Sequence, residues 1–153
     1  MSVHGMLLDS AAWRPSAIAL THEDRHVSFA DLAGEAARIA RFLREQGVRR
    51  GDRVALLLEN SPEYVAACFG IMQAGACCVA LNHANKVATH QALLRDSGAV
   101  ALWTGGRAAR DLAGIARDCP AMRFIVADGV DSVLLPPPGI AIHEPAAVCT
   151  GEP

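Results

Sequence analysis

The sequence predicts an α/β fold: a mostly parallel sheet with helices on both faces, preceded by a small N-terminal β-hairpin. Three observations predict it. Apolar runs at Val54–Leu58 and Ala76–Leu81 flank a long, mostly apolar segment, Tyr64 to Ala74. Turn chemistry sits at the junctions, with Ser61-Pro62 opening that segment and Gly75 closing it. The two runs lack period-two alternation, so both faces of each strand are expected to be covered, as in parallel sheets. Together these make one right-handed βαβ unit.

In chain order, Leu7 to Trp13 reads as a short helix ending before Pro15. Ala17–Thr21 and His26–Ser28 are short extended runs around the polar turn His22-Glu23-Asp24-Arg25, which makes them a β-hairpin. Ser28 then caps a long helix, with Asp31 three residues on as an approximate capping box. Leu32, Ala36, Ile39, Ala40 and Leu43 recur on one face, and Glu35, Arg38, Arg41 and Glu45 on the other. With Arg44, the arginines read as a solvated face. Gly47 ends the helix and Arg49-Arg50-Gly51-Asp52 turns into the central strand.

Ser61 is a good N-cap and Pro62 suits the first helical position, where a missing N–H costs nothing. Val65, Ala67, Cys68, Phe69, Ile71 and Met72 make the segment apolar nearly all round, so this helix is expected to be buried on more than one side. Gly75 fits the left-handed position just past a helix C-terminus. Asn85 is expected to cap a further helix that ends near Gly98. Val100–Thr104 is the next strand, Gly105-Gly106 a turn, Arg107 to Asp118 a helix and Phe124–Ala127 a last strand. Residues 1–134 therefore read as one α/β unit. Residues 135–153, with Pro136-Pro137-Pro138 and no periodicity, read as a Pro-rich irregular tail.

Composition narrows the function. The chain has 153 residues, enough for one domain that buries roughly 70% of its unfolded surface. Its formal net charge is −2, which argues against a nucleic-acid partner. The apolar fraction is 52% and the mean hydropathy +0.22, values that suit either an ordinary Ala-rich domain or a segment meant to meet further protein. Surplus apolar surface of that kind favours self-association or capture by a complementary chain. The five cysteines, Cys68, Cys77, Cys78, Cys119 and Cys149, form no CxxC pair and suit a reducing cytoplasm. Cys77 and Cys78, adjacent in a strand, are expected to point to opposite faces. No run of 18 apolar residues predicts a transmembrane helix, and no secretory signal is read at the N-terminus.

The central stretch, GDRVALLLENSPEYVAACFGIMQAGACCVALN, also carries a family likeness. Gly51-Asp52-Arg53-Val54-Ala55, Asn60-Ser61-Pro62-Glu63-Tyr64, Ala74-Gly75-Ala76 and Leu81-Asn82 follow one another at the spacing of the AMP-forming acyl-CoA synthetases. Ser28-Phe29-Ala30-Asp31-Leu32 and Arg95-Asp96-Ser97-Gly98-Ala99 extend the match. The chain thus resembles the N-terminal portion of an adenylate-forming ligase. It departs from the pattern at His83, Ala84 and His90, where Pro, Arg and Leu are usual.

The resemblance implies a partial N-terminal domain of a cytoplasmic ligase of fatty-acid metabolism. It implies a two-step reaction: a carboxylate and ATP give an acyl-adenylate and pyrophosphate, and coenzyme A then displaces AMP. The family uses ATP, Mg²⁺ and coenzyme A. The phosphate loop of the family reads roughly S-G-T-T-G-x-P-K, and only Thr150-Gly151-Glu152-Pro153 resembles its tail. No residue here is carried over as catalytic, cofactor-binding or metal-binding, and no cofactor is expected for the isolated chain. The residues themselves add little. His4, His22, His26, His83, His90 and His143 make no HxxxH or HExxH pair on one helix, since His22 and His26 flank the expected hairpin turn. His83 follows a strand end and Thr104-Gly105-Gly106-Arg107 is a strand–glycine–helix turn, and both read best as structural. Three readings stay open: an N-terminal ligase portion inactive alone, the scaffold half of a split ligase with a complementary partner chain, and a truncated product without a role.

Overall fold

The computed structural model describes residues 2–105, 118–127 and 139–149. Along them run α1 (Val3–Trp13), β1 (Ile18–His22), β2 (Arg25–Ser28), α2 (Phe29–Glu45), β3 (Arg53–Leu57) and α3 (Pro62–Gln73). Then come β4 (Cys77–Ala80), α4 (Val87–Ser97), β5 (Ala101–Thr104), β6 (Phe124–Ala127), β7 (Ala141–His143) and a helical turn, α5 (Pro145–Cys149). β1 and β2 pair antiparallel as the expected hairpin. The other five strands form one sheet in the order β4-β3-β5-β6-β7, every pair parallel.

The sheet is covered on both faces. Val54, Leu56, Ala101, Trp103, Phe124 and Val126 point into a cluster with α1, α2 and α3. Ala55, Leu57, Leu102, Ile125 and Ala127 point the other way, onto Leu94 of α4 together with Cys119 and Met122. β3, β5 and β6 are buried from both sides, apart from Arg53 at the start of β3. The same cover is incomplete at β4, where Cys78 and Val79 are half-buried and Cys77 and Ala80 exposed, because β4 is an edge strand. After Glu63, every residue of α3 is buried or half-buried, as its all-round apolar composition requires.

Local chemistry accounts for the boundaries. Ser61 Oγ accepts from the Tyr64 N–H at 3.1 Å with Pro62 in the first turn. At the other end of α3, Gly75 N–H reaches the Met72 carbonyl and Ala76 N–H the Ile71 carbonyl, a Schellman pair that requires the Gly75 φ of +88°. Ser28 Oγ caps α2 by accepting from Asp31 N–H, and donates in turn to the Asp31 carboxylate at 2.6 Å. α1 starts earlier than the periodicity indicated because Ser2 Oγ accepts from Gly5 N–H.

Two expectations are corrected. Lys86, not Asn85, is the N-cap of α4, and it makes no side-chain cap bond. The turn before it is held instead by Asn82, whose Oδ1 accepts from Ala84 N–H at 2.9 Å. The stretch read as an irregular tail contains β7 and α5, with Val148 3% exposed in the core. A three-residue strand is too short to show a period, so only its pairing with β6 reveals it. The helix expected from Arg107 lies outside the described residues except for Asp118, as do Pro136-Pro137-Pro138 and Thr150–Pro153.

The amino ends of the strands are tied by arginines. Arg53 Nε donates to the Ser97 carbonyl at 2.8 Å, and its other nitrogens reach the Gly51 and Gly98 carbonyls. Arg123 donates to the Gly47 carbonyl at 3.0 Å and to Asp52 Oδ2 at 2.8 Å. Arg44, read as solvated, donates to the Gln73 carbonyl and so joins α2 to the end of α3.

α2 and α3 meet at Gly70. A Cβ there would lie 2.6 Å from Ile39 Cγ2 and 2.9 Å from the Ala36 carbonyl oxygen, which is backbone and cannot step aside. Gly70→Val should therefore destabilise the chain by about 2 kcal/mol or more through overpacking. Gly75→Val should cost about 1 kcal/mol through its positive φ. Urea denaturation midpoints check both, and the ranking of the two variants is the sharper expectation.

Candidate functional site

The strand order creates one crevice. From β3 the chain crosses over α3 to β4 on the outer side, whereas β5 is followed by β6 on the opposite side. The loops leaving β3 and β5 therefore diverge, and open α/β sheets bind ligands at such a switch point, outside the carboxyl ends of the strands. A cavity of about 360 Å³ lies there, within the usual size of a small-molecule site.

Its apolar lining is Ile39 from α2, Leu58 just past β3, Trp103 from β5 and Pro145 at the start of α5. Ile39 and Trp103 are buried and Leu58 half-buried. Thr104 is fully buried beside them, its hydroxyl donating to the Leu57 carbonyl at 3.1 Å, which pins the ends of β3 and β5 together. The polar groups around the cavity are Glu35, Glu59, Ser61 and Glu63. Glu35 is half-buried and paired with Arg38. Glu63, in the first turn of α3, pairs with Arg25 of β2 at 2.9 Å. Burial alone would raise the Glu63 carboxyl. Its own backbone N–H, the Arg25 guanidinium and the Ser61 hydroxyl outweigh that and hold it below the ordinary value of 4.5.

This arrangement suits an apolar group and does not fit a polyphosphate. The donors at the α3 N-terminus, where an anion would otherwise bind, are already engaged by Ser61 and Glu63. Three carboxylates around the cavity would oppose further negative charge. Among the described residues no group of three or more His, Cys, Asp or Glu side chains comes together to hold a metal ion. No step through ATP or Mg²⁺ is derived from these residues.

The residues singled out in the sequence lie mostly elsewhere. Gly105 lines the cavity, but Gly106 and Arg107 lie outside the described residues. His83 is exposed in the turn after β4 and does not line it. His90 is 3% exposed, and its Nε2 donates to the Asn82 carbonyl at 2.9 Å, so the departure from Leu supplies a strap across the β4–α4 turn. His143 packs edge-on against Phe42 and Phe124. Sequence reading missed Glu35, Leu58, Glu59 and Trp103 as cavity residues. They come from three separate segments, and only the expected strand order with its switch point could have brought them together.

Fold and crevice define an α/β domain whose parallel sheet is covered on both faces. The chain belongs to the AMP-binding enzymes, whose family profile matches residues 7–135. It is 50% identical over 72 residues to a pyochelin synthetase of Pseudomonas aeruginosa, a match that covers 47% of this chain and 5% of that protein. It is 32% identical over 141 residues to a medium/long-chain-fatty-acid–CoA/3-oxocholest-4-en-26-oate–CoA ligase of Mycobacterium tuberculosis, covering 91% of this chain and 25% of that one. Among solved structures, an anthranilate CoA ligase in complex with anthranoyl-AMP superposes with a TM-score of 0.80 at 28% identity, over 86% of this chain and 26% of that chain. The chain thus spans about a quarter or less of each of these three proteins. The likeness read from the Gly51–Asn82 motifs is that of a true family member.

The lowered Glu63 carboxyl has a pH consequence. A carboxylate whose folded value lies below its unfolded one contributes stability that is present above the unfolded value and lost as pH falls through the folded one. The stability gap between the wild type and Glu63→Gln should accordingly be present at neutral pH and close as the pH falls below the ordinary value of 4.5. Thermal melts of both proteins across that range check it.

Proposed function

We propose that this chain is the N-terminal portion of an AMP-forming acyl-CoA synthetase, which joins a carboxylic acid to coenzyme A with ATP converted to AMP and pyrophosphate. In that reading it supplies scaffold and one wall of the acyl cavity, and the rest of the ligase supplies the nucleotide loop, the Mg²⁺ site and the catalytic groups. The observation that carries the proposal is the switch-point cavity, apolar on Ile39, Leu58 and Trp103 and ringed by carboxylates. Such a wall accepts an acyl chain or ring and turns phosphates away, which divides the labour of adenylation between this portion and its complement.

Two further features support the reading. Val3, Met6, Trp13 and Ile18 are large apolar residues more than half exposed, as expected of a surface that the rest of a ligase covers. The relatives named above include CoA ligases whose length is several times that of the matched stretch. We place the reaction in the cytoplasm and in acyl metabolism. No helix among the described residues is long and apolar enough to cross a membrane.

The test compares two proteins. The purified chain alone should neither bind ATP by isothermal titration nor release pyrophosphate with short to long carboxylic acids, with or without coenzyme A. A chimera in which it replaces the matching stretch of the M. tuberculosis ligase should release pyrophosphate in an acid-dependent way. Acid-dependent release by the chain alone would overturn the division of labour, and a folded chimera without activity would overturn the assignment.

A further inference from the structure

Outside the cavity, a cluster of reactive groups among the described residues lies where α3 packs on β4. Cys68 of α3 and Cys78 of β4 bring their sulfurs to 3.5 Å, both side chains half-buried. Tyr64 lies one turn before Cys68 on α3, and its hydroxyl favours the Cys68 thiolate. The frame holding them is rigid. The Schellman turn at Gly75 fixes how α3 runs into β4, and β4 is registered on β3 with Cys78 opposite Val54. Cys77 lies on the other face of the strand and is exposed, so it does not share the contact. Cys119 lies in the cluster on the far face of the sheet.

We propose that Cys68 and Cys78 form an oxidisable dithiol site, with Cys68 the attacking thiolate, Cys78 the resolving thiol and a hydroperoxide the oxidant. The Cys68 thiolate attacks one oxygen of the peroxide and the O–O bond breaks. The leaving oxygen takes a proton from solvent and departs as an alcohol or water, and the sulfur is left as a sulfenic acid. Cys78 then attacks that sulfur. The S–O bond breaks, and water leaves with the Cys78 proton. Two thiols have lost two hydrogens, and the peroxide has been reduced by two electrons. Closing the sulfurs to a bond of about 2.05 Å asks for a movement of about 1.5 Å, within reach of small side-chain rotations.

The electrostatics favour this division of roles. With Cys68 ionised, the Cys78 S–H donates to its sulfur, burial opposes the charge, and the Tyr64 hydroxyl favours it further. The balance lowers Cys68 from the ordinary thiol value of 9.0 to about 7. Cys78 moves upward, because its proton is held in the bond to Cys68 and because burial and the nearby Cys68 charge disfavour its thiolate. One sulfur is thus an available nucleophile near neutral pH, and its neighbour keeps its proton until a sulfenic acid forms. The helix dipole is not the cause, since Cys68 lies in the middle of α3.

The experiment uses the purified chain and hydrogen peroxide. Remaining thiols are blocked, the protein is cut with chymotrypsin after Phe69, and the peptides are read by mass spectrometry. The Cys68 peptide should be linked to the Cys77-Cys78 peptide with a loss of two hydrogens. The link should survive in Cys77→Ser and vanish in Cys78→Ser, where a 1,3-diketone probe should instead trap a sulfenic acid on Cys68. Tyr64→Phe should slow alkylation of Cys68 by iodoacetamide about threefold or more while leaving the circular dichroism unchanged. A link through Cys77 or Cys119, a link between two chains, or Cys68 reacting no faster than Cys119 would each overturn the proposal.

Discussion

Strand β3 is the constraint on which the rest depends. It is hydrogen-bonded on both edges, to β4 and to β5, and its residues from Val54 to Leu57 are buried on both faces. A strand so enclosed has one acceptable register, because a slip of one residue would exchange the partners of both helical layers at once. The two cores follow from its alternation, with Val54 and Leu56 serving one and Ala55 and Leu57 the other. The crevice follows too, since it opens where the loops leaving β3 and β5 part.

Packing against β3 is set by small residues. Gly70 lets α3 press against Ala36 and Ile39 of α2, and Ala66 and Ala67 are buried on the same helix. Larger side chains would hold the helices apart and pull Ile39 out of the wall it shares with the cavity. Fold and site are coupled at this point, because one isoleucine serves both the helix contact and the cavity.

Much of this was legible in the sequence because it rests on local chemistry. Ser28, Ser61, Pro62 and Gly75 mark helix ends by bonds made within a few residues, and the apolar runs of β3, β5 and β6 announce strands buried on both faces. What stayed hidden depends on long-range partners. β7 is a strand only because β6 offers an edge, and the Lys86 cap was misplaced because Asn82 and His90 shape that turn from outside it. The cavity was hidden for the same reason, since Glu35, Leu58 and Trp103 are remote in sequence and nothing in the residues alone brings them together. Arg44 misled because a side chain on a polar helix face was in reach of a carbonyl on the neighbouring helix.

The arginine ties at the amino ends of the strands have a consequence for how such a domain can change over generations. Arg53 and Arg123 gather the Ser97, Gly98 and Gly47 carbonyls with the Asp52 carboxylate at that end, while the cavity sits at the other. Residues that secure the sheet are thus physically separate from most residues that would greet a ligand. Most substitutions around the cavity can accumulate without loosening the sheet, and a lineage can explore new cavity shapes while its scaffold stays as it is. Ile39 and Thr104 are exceptions: a change at Ile39 would have to be matched at Gly70, and Thr104 ties β3 to β5 from the cavity itself.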